Sequence, residues 1–233
     1  MRRSLINKIR FILEELLPPI LRDSAIFKYI VKYFYRKDHL HENLKSRILS
    51  YSEEDYVNYY KNMPEINGET DNSESCIKEI ISEVKPNNIV DIGCGRGYLL
   101  EKLRIKNSKY LLTGIEIYLS DKLKERSFEY NFKTIEMNIK DISKLKKSYD
   151  TAICTHVLEH VLDIKSAYEN LKKICKKRLI IVVPKERPYK YTFNGHLHFF
   201  PYEWSLINTL RPDTKNFQIK DINRDFVFIE DLD

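Results

Sequence analysis

VDIGCGRG, which spans Val90 to Gly97, places three glycines at alternate positions directly after an apolar run and an aspartate. Glycine adopts backbone angles that a Cβ would forbid, and it lets a ligand lie against the main chain. A loop of this kind, between a short apolar strand and a helix, lies where open α/β sheets bind their ligands, at the carboxyl end of a strand. The stretch therefore predicts an α/β fold with a ligand site at this loop.

Apolar runs and helical spacings alternate on both sides of the glycine loop. Strands are predicted at 88–92, 110–117, 132–137, 149–154 and 178–183, and helices at 75–84, 98–103 and 164–175. This alternation is typical of a parallel sheet that helices cover on both faces. Two later apolar runs, 217–222 and 225–229, flank Asn223-Arg224 and predict a hairpin at the sheet edge.

The first 62 residues follow a different pattern and predict a basic helical extension. Apolar residues recur at positions 5, 9, 12 and 16, on one side of a helix that Pro18-Pro19 ends. Further helices are predicted at 26–37 and 51–62, and residues 63–74 are polar and turn-rich, as in a linker. The predicted units are the extension, residues 1–62, and a sheet domain, residues 75–233.

Charge is distributed unevenly along the chain. It has 233 residues, 42% of them hydrophobic, and a net charge of +6. Residues 1–50 carry 11 Lys and Arg against 5 Asp and Glu, and the remaining 29 basic and 29 acidic residues cancel. A neutral sheet domain argues against a nucleic-acid enzyme with a broad basic cleft. No apolar run approaches the roughly 20 residues that span a bilayer, and Glu14 and Glu15 argue against a secretory signal.

The four cysteines are Cys76, Cys94, Cys154 and Cys175. None of them pairs at CxxC spacing, so neither a zinc knuckle nor a redox motif is predicted. We expect buried, reduced thiols of the kind that cytosolic proteins carry.

The glycine spacing distinguishes two classes of cofactor. The dinucleotide fingerprint G-x-G-x-x-G needs a glycine at position 98, which is Tyr98 here. The observed G-x-G-x-G, with Asp91 two positions before it, resembles motif I of the class I S-adenosylmethionine-dependent methyltransferases. Three later segments, in the order that this family has, extend the resemblance over roughly residues 75–210.

The first of these later segments ends the second predicted strand, where Glu116 resembles the acid that accepts both ribose hydroxyls of the cofactor. In the next, residues 137–141, the resemblance assigns the adenine contacts to Asn138 and Ile139, with Asp141 as the competing register. The last is THVLEHV, residues 155–161, which resembles the segment after the fourth strand in the ubiquinone and menaquinone biosynthesis branch.

The resemblance implies a fold, a cofactor and a set of contacts. The fold is a Rossmann-like, mostly parallel, seven-stranded sheet with helices on both faces, to which this chain adds the helical N-terminal extension. The cofactor is S-adenosyl-L-methionine. The implied cofactor-binding residues are Asp91, Gly93, Cys94, Gly95, Gly97, Glu116, Ile117, Asn138, Ile139 and Thr155.

Methyl transfer to a hydroxyl group needs a base, and histidine is the side chain that titrates nearest to neutral pH. Four of the six histidines fall in the loops after the fourth and fifth predicted strands, which open onto the methyl group in this fold. His160 is interpreted as a packing or capping residue. The base is left open among His156, His196 and His198. No metal-ligand spacing is visible, and no metal site is predicted.

The methyl acceptor is predicted from a weaker resemblance. Residues 180–191 and 196–202 resemble bacterial methyltransferases of surface-polysaccharide synthesis, which implies O-methylation of a sugar or nucleotide-sugar hydroxyl. The basic residues of segment 184–191 either hold a phosphate or carboxylate on the acceptor or form a solvated loop. The alternatives are a lipid-quinone methyltransferase at the membrane, a non-catalytic cofactor-binding module and an NAD-dependent reductase.

Three roles are open to the N-terminal extension: a cap over the active site, contact with an anionic membrane surface, and a homodimer interface. The expected partner of the site is a small molecule, not a nucleic acid. We expect a cytoplasmic protein. If the extension contacts a membrane, the contact is expected at the inner face of that membrane.

Overall fold

A computed structural model describes residues 8–29, 47–62, 68–145, 148–188, 190, 195–213 and 215–232. Most of the helix predicted at 26–37 lies outside the described residues, as do parts of the segments 63–74 and 184–191. The division into an extension and a sheet domain stays a prediction.

Within the described residues one sheet has seven strands. They are β1 (Asn88–Ile92), β2 (Leu111–Glu116), β3 (Lys133–Glu136), β4 (Tyr149–Thr155), β5 (Cys175–Pro184), β6 (Phe217–Ile222) and β7 (Asp225–Asp231). Their spatial order is β3-β2-β1-β4-β5-β7-β6, and β1 to β5 are parallel. β7 runs antiparallel to both β5 and β6. The predicted fold class is confirmed, and the strand order reverses between β2 and β4, beside β1, where the glycine loop begins.

Six helices of at least eight residues accompany the sheet in the described chain. They are α1 (Glu53–Lys61), α2 (Glu74–Glu83), α3 (Tyr98–Lys106), α4 (Asp121–Glu129), α5 (Ile164–Ile174) and α6 (Glu203–Leu210). Serine caps start three of them: Ser52, Ser73 and Ser120 each accept a hydrogen bond from a backbone N–H of the first turn. α4 has no counterpart among the helices predicted from the sequence.

The sheet carries a hydrophobic layer on each face, as predicted. One layer joins β-strand residues to α5 and α6 through side chains such as Tyr168 and Leu206. The other joins the sheet to α2, α3 and α4 through side chains such as Ile80, Leu100 and Leu123. All four cysteines are buried and free, as expected.

The hairpin of β6 and β7 turns at Asn223 and Arg224, whose φ angles are 51° and 67°. Two successive positive φ angles are typical of the tight turn that matches the twist of antiparallel strands. β7 lies between β5 and β6, so the carboxyl end of β5 meets the start of β7, where Pro184 pairs with Asp225.

The N-terminal segment, residues 8–29, is described as short helical pieces. A π-helical turn at Ile12–Leu16 ends before the two prolines, and a single α-turn follows at Pro19–Arg22. In the described part of the chain, no helix combines the length and apolar character that crossing a membrane requires.

Candidate functional site

The glycine loop after β1 has the conformation that its sequence requires. Gly93, Gly95 and Gly97 have φ angles of +73°, +54° and +75°, in the left-handed region that disfavours other residues. A Cβ on Gly93 would overlap Val157 of the loop after β4, and one on Gly97 would lie 2.6 Å from the Phe132 ring. Around Gly95 there is open space. Gly93 and Gly97 are therefore needed for packing as well as for conformation.

Replacing Gly93 by alanine should destabilise the fold more than replacing Gly95. Both changes add a Cβ at positive φ, which costs about 1–2 kcal/mol. Only Gly93→Ala also forces a clash with Val157, for which about 1–3 kcal/mol more is expected. Denaturant unfolding of both variants measures the difference, with Gly95→Ala as the matched control. Equal losses would show that Val157 yields freely and that the loops after β1 and β4 are not packed together.

Glu116, the last residue of β2, closes the glycine loop with its side chain. One carboxylate oxygen accepts the N–H of Gly95 at 2.7 Å, and the other accepts the N–H of Ile117 at 2.9 Å. Burial raises the pKa of Glu116, while these two N–H groups act to lower it. Each carboxylate oxygen has a second acceptor position, so Glu116 can hold the loop and still accept two further hydroxyl groups.

Asp91 is buried under the same loop, and its Oδ1 makes no hydrogen bond within the described residues. Burial raises the pKa of Asp91 well above its ordinary value, and the nearby Glu116 adds to the shift. A buried acid of this kind is stabilised by a cationic or hydrogen-bond-donating group. The Asp91 carboxyl, the bare glycine backbone and the Glu116 carboxylate together fit a ligand that carries an ammonium group and a ribose, as S-adenosylmethionine does.

Asn138 and Ile139 follow β3, beside Glu116 on the neighbouring strand. The backbone of Met137 donates to Glu116 O at 2.8 Å, which fixes this turn against β2. The Asn138 side chain accepts the N–H of Lys140 and starts the 3-10 turn Ile139–Lys144. Asp141, the competing register, lies inside that turn and pairs with Lys144. The adenine assignment to Asn138 and Ile139 stays a prediction.

Two of the implied cofactor residues use their side chains elsewhere. The Cys94 thiol points into the core, where a Cβ on Gly114 would lie 2.7 Å from its sulfur, so only the Cys94 backbone can face a ligand. The Thr155 hydroxyl accepts a hydrogen bond from Asn72 at 2.9 Å, and both side chains are buried. Any contact that Cys94 or Thr155 makes with a cofactor would therefore use backbone atoms.

The segment before α2 lies over the glycine loop, although the sequence indicated a linker there. Arg96 donates to Gly68 O at 2.6 Å, and Arg126 of α4 pairs with Glu69 at 2.7 Å. Arg126 also donates to the Arg96 carbonyl. These contacts could not be predicted from the sequence, because they join residues that are far apart in the chain.

The loop after β4 brings His156 into a strained and acidic environment. His156 has a φ angle of +54°, unusual for a residue with a Cβ and often found at functional sites. Its Nδ1 lies 3.5 Å from Glu159, and its Nε2 lies 3.9 Å from Asp225 at the start of β7. Both acids are fully buried. His156 therefore lies between two buried carboxylates.

Glu159 is the centre of a histidine cluster, which consists of His156, His160 and His196. Burial alone would raise the pKa of Glu159, but the three histidines lower it to about 2. Neither oxygen of Glu159 makes a regular hydrogen bond within the described chain. Glu159 is therefore ionised although it is buried.

His160 and His198 are both fixed by backbone carbonyl groups. His160 Nδ1 lies 3.1 Å from Gly195 O, and burial, aided by His196, lowers the pKa of His160 to about 4. His198 Nε2 lies 2.8 Å from Val161 O. His160 is therefore a neutral donor to Gly195 at pH 7, as its interpretation as a packing residue implies.

His196 is held by a carboxylate that was not among the predicted site residues. Its Nδ1 is hydrogen-bonded to Glu186, which is buried in the loop after β5. Glu186 in turn pairs with Arg10 of the N-terminal segment at 3.1 Å. A carboxylate on Nδ1 fixes the ring and leaves Nε2 of His196 to act on a ligand. Of the three candidate bases, His196 has the arrangement best suited to accepting a proton.

Glu159 and two histidines of this cluster could also hold a metal ion. Glu159, His160 and His196 each offer a ligand atom, and these atoms lie within 4.8 Å of one another. Residue spacing could not predict such a group, because His196 comes from a different loop. The prediction that no metal is bound stays untested.

Residues of the first 62 positions contact the surroundings of this cluster at two places. Arg10 reaches Glu186, and α1 contributes Tyr56, whose hydroxyl donates to His160 O at 3.1 Å. The Tyr60 ring stands edge-on to His160 with centroids 5.7 Å apart. By contrast, two basic residues after β5 are engaged within the chain: Lys185 with Asp221, and Arg187 with Glu15 and the Tyr202 hydroxyl.

Comparison with known proteins matches residues 71–203 to a family model described as a methyltransferase domain. A curated relative, the ubiquinone biosynthesis O-methyltransferase of Nitrosomonas europaea, is 29% identical over 108 residues. That match covers 43% of this chain and 44% of the relative, so it spans less than half of that protein's length.

Two solved structures share the fold. An O-methyltransferase family protein from Burkholderia thailandensis superposes with a TM-score of 0.56 at 12% identity, over 91% of this chain and 71% of that one. The magnesium protoporphyrin IX methyltransferase ChlM from Synechocystis PCC 6803, with bound SAH, gives 0.52 at 15% identity, over 81% of this chain and 99% of that one.

Proposed function

Because this chain belongs to the methyltransferase domain family, we propose that it transfers the methyl group of S-adenosylmethionine to a hydroxyl oxygen of a small molecule. The predicted family is thereby confirmed. One observation carries the proposal: the glycine loop after β1 lies at the same end of the sheet as His196, whose Nδ1 is hydrogen-bonded to the Glu186 carboxylate. Val157, which packs against Gly93, follows directly on His156 of the histidine cluster.

The cofactor supplies a methyl group that is already activated on a sulfonium, so the protein mainly has to align the acceptor and exclude water. Glu116 would accept the ribose hydroxyls, and Asp91 would face the ammonium group. Gly93, Gly95 and Gly97 leave their backbone open to the ligand. The turn at Asn138 would hold the adenine.

His196 is proposed as the base. Its Nε2 would take the acceptor's hydroxyl proton as the oxygen attacks the methyl group. The Glu186 carboxylate on Nδ1 would stabilise the imidazolium so formed, and Arg10 would keep Glu186 charged. His156 and His198 are less suited, since His156 lies between two acids and Nε2 of His198 is bonded to Val161 O.

The proposed acceptor is a sugar or nucleotide-sugar hydroxyl of a bacterial surface polysaccharide. Its support is the likeness of residues 180–191 and 196–202 to methyltransferases of that synthesis. The relative from Nitrosomonas europaea favours a second candidate, a lipid quinone. A cofactor-binding module without catalysis is the remaining alternative. We propose a cytoplasmic protein whose extension caps the site, as the Arg10 and Tyr56 contacts support.

Incubation with methyl-labelled S-adenosylmethionine and fractionated extract of the source cells, followed by mass spectrometry, tests the function. We expect label in a sugar or nucleotide-sugar fraction. Label confined to the lipid fraction would instead assign a quinone acceptor. Cofactor binding without transfer to any fraction would leave only the non-catalytic module.

Chelation separates the proposed base from a metal-dependent reaction. If His196 acts as the base, activity should survive EDTA treatment and desalting unchanged. Labelled methyl transfer before and after treatment is the measurement. A loss that added Mg²⁺ or Zn²⁺ restores would instead assign the Glu159, His160 and His196 group to a metal that activates the hydroxyl.

A further inference from the structure

The N-terminal segment turns its charged side chains toward the rest of the protein. Glu14 and Arg22 are each only 5% exposed. Glu14 pairs with Arg224 at 2.6 Å, and Arg10 pairs with Glu186 at 3.1 Å. A helical segment that covers a domain ordinarily does the opposite and buries its apolar side.

The apolar side chains of the same segment face outward. Six of them are between 47% and 81% exposed: Phe11, Ile12, Leu16, Ile20, Leu21 and Ile26. We call these six residues the outer apolar face. Six exposed apolar residues in one short segment are typical of a surface that contacts a partner or a membrane.

Two aromatic residues at the start of α6 are joined to the same N-terminal segment through one arginine. Arg187 links the two regions, since it pairs with Glu15 at 3.2 Å and donates to the Tyr202 hydroxyl at 2.9 Å. Tyr202 stacks on Trp204, and Trp204 is 60% exposed. Tyrosine and tryptophan are the residues that favour the headgroup region of a bilayer.

We propose that the outer apolar face, together with Tyr202 and Trp204, docks on an anionic membrane surface. The charge of the region is complementary to such a surface: residues 1–50 carry 11 basic and 5 acidic residues. Within the described residues Glu14 and Glu15 are paired, and so are Arg10 and Arg22, so these pairs leave the net positive charge of the first 50 residues of the sequence unchanged. A net positive charge attracts anionic headgroups. A second copy of the chain would bring an equal positive charge to the same interface.

The inference deepens the membrane contact considered for the extension and rests on the proposed function only for its cytoplasmic setting. Vesicle binding needs neither cofactor nor acceptor. A negative result there therefore leaves the proposed methyl transfer untouched, and a failure to find methyl transfer leaves the membrane contact untouched.

The test is flotation of the full chain with vesicles of phosphatidylcholine and phosphatidylglycerol, with pure phosphatidylcholine as the reference. We expect binding to the anionic vesicles that weakens as salt is raised from 50 to 500 mM. The sequence holds a single tryptophan, so the emission of Trp204 reports on this surface directly. It should shift to shorter wavelength as the anionic vesicles are added.

A double substitution, Leu16→Glu with Ile20→Glu, should lower the apparent vesicle affinity by at least about tenfold, because it removes two apolar contacts and adds repulsion. The matched control is Ile105→Glu with Phe128→Glu, which adds the same charge at exposed apolar residues of α3 and α4. The control should bind as the unaltered chain does.

Two outcomes would overturn the proposal. One is equal loss of binding in both double variants, which would reduce the effect to net charge. The other is absence of binding to the anionic vesicles. The oligomeric state is then measured, and the expected alternative is a dimer that Leu16→Glu with Ile20→Glu converts to a monomer. That result would assign the outer apolar face to a second copy of the chain.

Discussion

Glu116→Ala is expected to weaken S-adenosylmethionine binding about ten- to a hundredfold. The proposed ribose contact consists of two hydrogen bonds to a charged group, and its loss corresponds to roughly 1.5–3 kcal/mol. In this chain the variant also removes the hydrogen bonds that Glu116 accepts from the N–H groups of Gly95 and Ile117, so the glycine loop is no longer held against β2 by this side chain. We therefore expect the upper part of that range. Titration calorimetry with S-adenosylmethionine is the measurement, and it needs no knowledge of the acceptor.

Two further variants separate the loop contact from the ribose contact. Glu116→Gln keeps the acceptor for one N–H but removes the charge, so an intermediate loss is expected. Glu136→Ala removes the exposed acid that is in register with Glu116 on β3, and it should leave affinity unchanged. Full affinity in Glu116→Ala would reject the assignment of the ribose to this strand.

His196→Asn is expected to lower kcat about 10²- to 10⁴-fold, the usual contribution of a positioned base. Asparagine keeps a polar group near Glu186, so the buried carboxylate retains a partner. Cofactor affinity should stay within about twofold, because His196 is proposed to act on the acceptor and not on the cofactor. The measurements are methyl transfer to the acceptor found in the extract experiment, and calorimetry for the cofactor.

The matched control is His198→Asn, two positions further on. Its ring is bonded to the Val161 carbonyl, so the change should cost stability but little kcat in the fraction that stays folded. Glu186→Gln should reduce kcat less than His196→Asn does, since Nε2 of His196 remains in place. A normal rate in His196→Asn, with His156→Asn inactive, would move the base to the loop after β4.

The sheet could be predicted because its signals are local. Residues 88–92 and 217–222 match the strands of the structure, since short apolar runs bounded by polar or glycine residues leave few alternatives. The helix α4 was missed because only Leu123 of its nine residues is buried, so its apolar periodicity is weak. The one usable signal was Ser120, which caps it.

The site was predictable only where a motif is continuous in sequence. The glycine loop and Glu116 follow such a motif, and the structure brings them into contact. Glu186 and Arg10 could not be found in that way, because their ion pair joins residues 176 positions apart. The same holds for the bond between Asn72 and Thr155, which places a segment interpreted as a linker at the wall of the site.

The ion pair of Glu14 with Arg224 has a consequence for biosynthesis. A ribosome that adds about 5–20 residues per second needs roughly 10–40 s to make the 210 residues between the two partners. The N-terminal turn therefore emerges from the exit tunnel before Arg224, a partner of Glu14, has been translated. Nascent chains stalled before residue 224 should leave residues 8–16 open to protease, whereas protection at that stage would mean that Arg10 and Glu186 suffice.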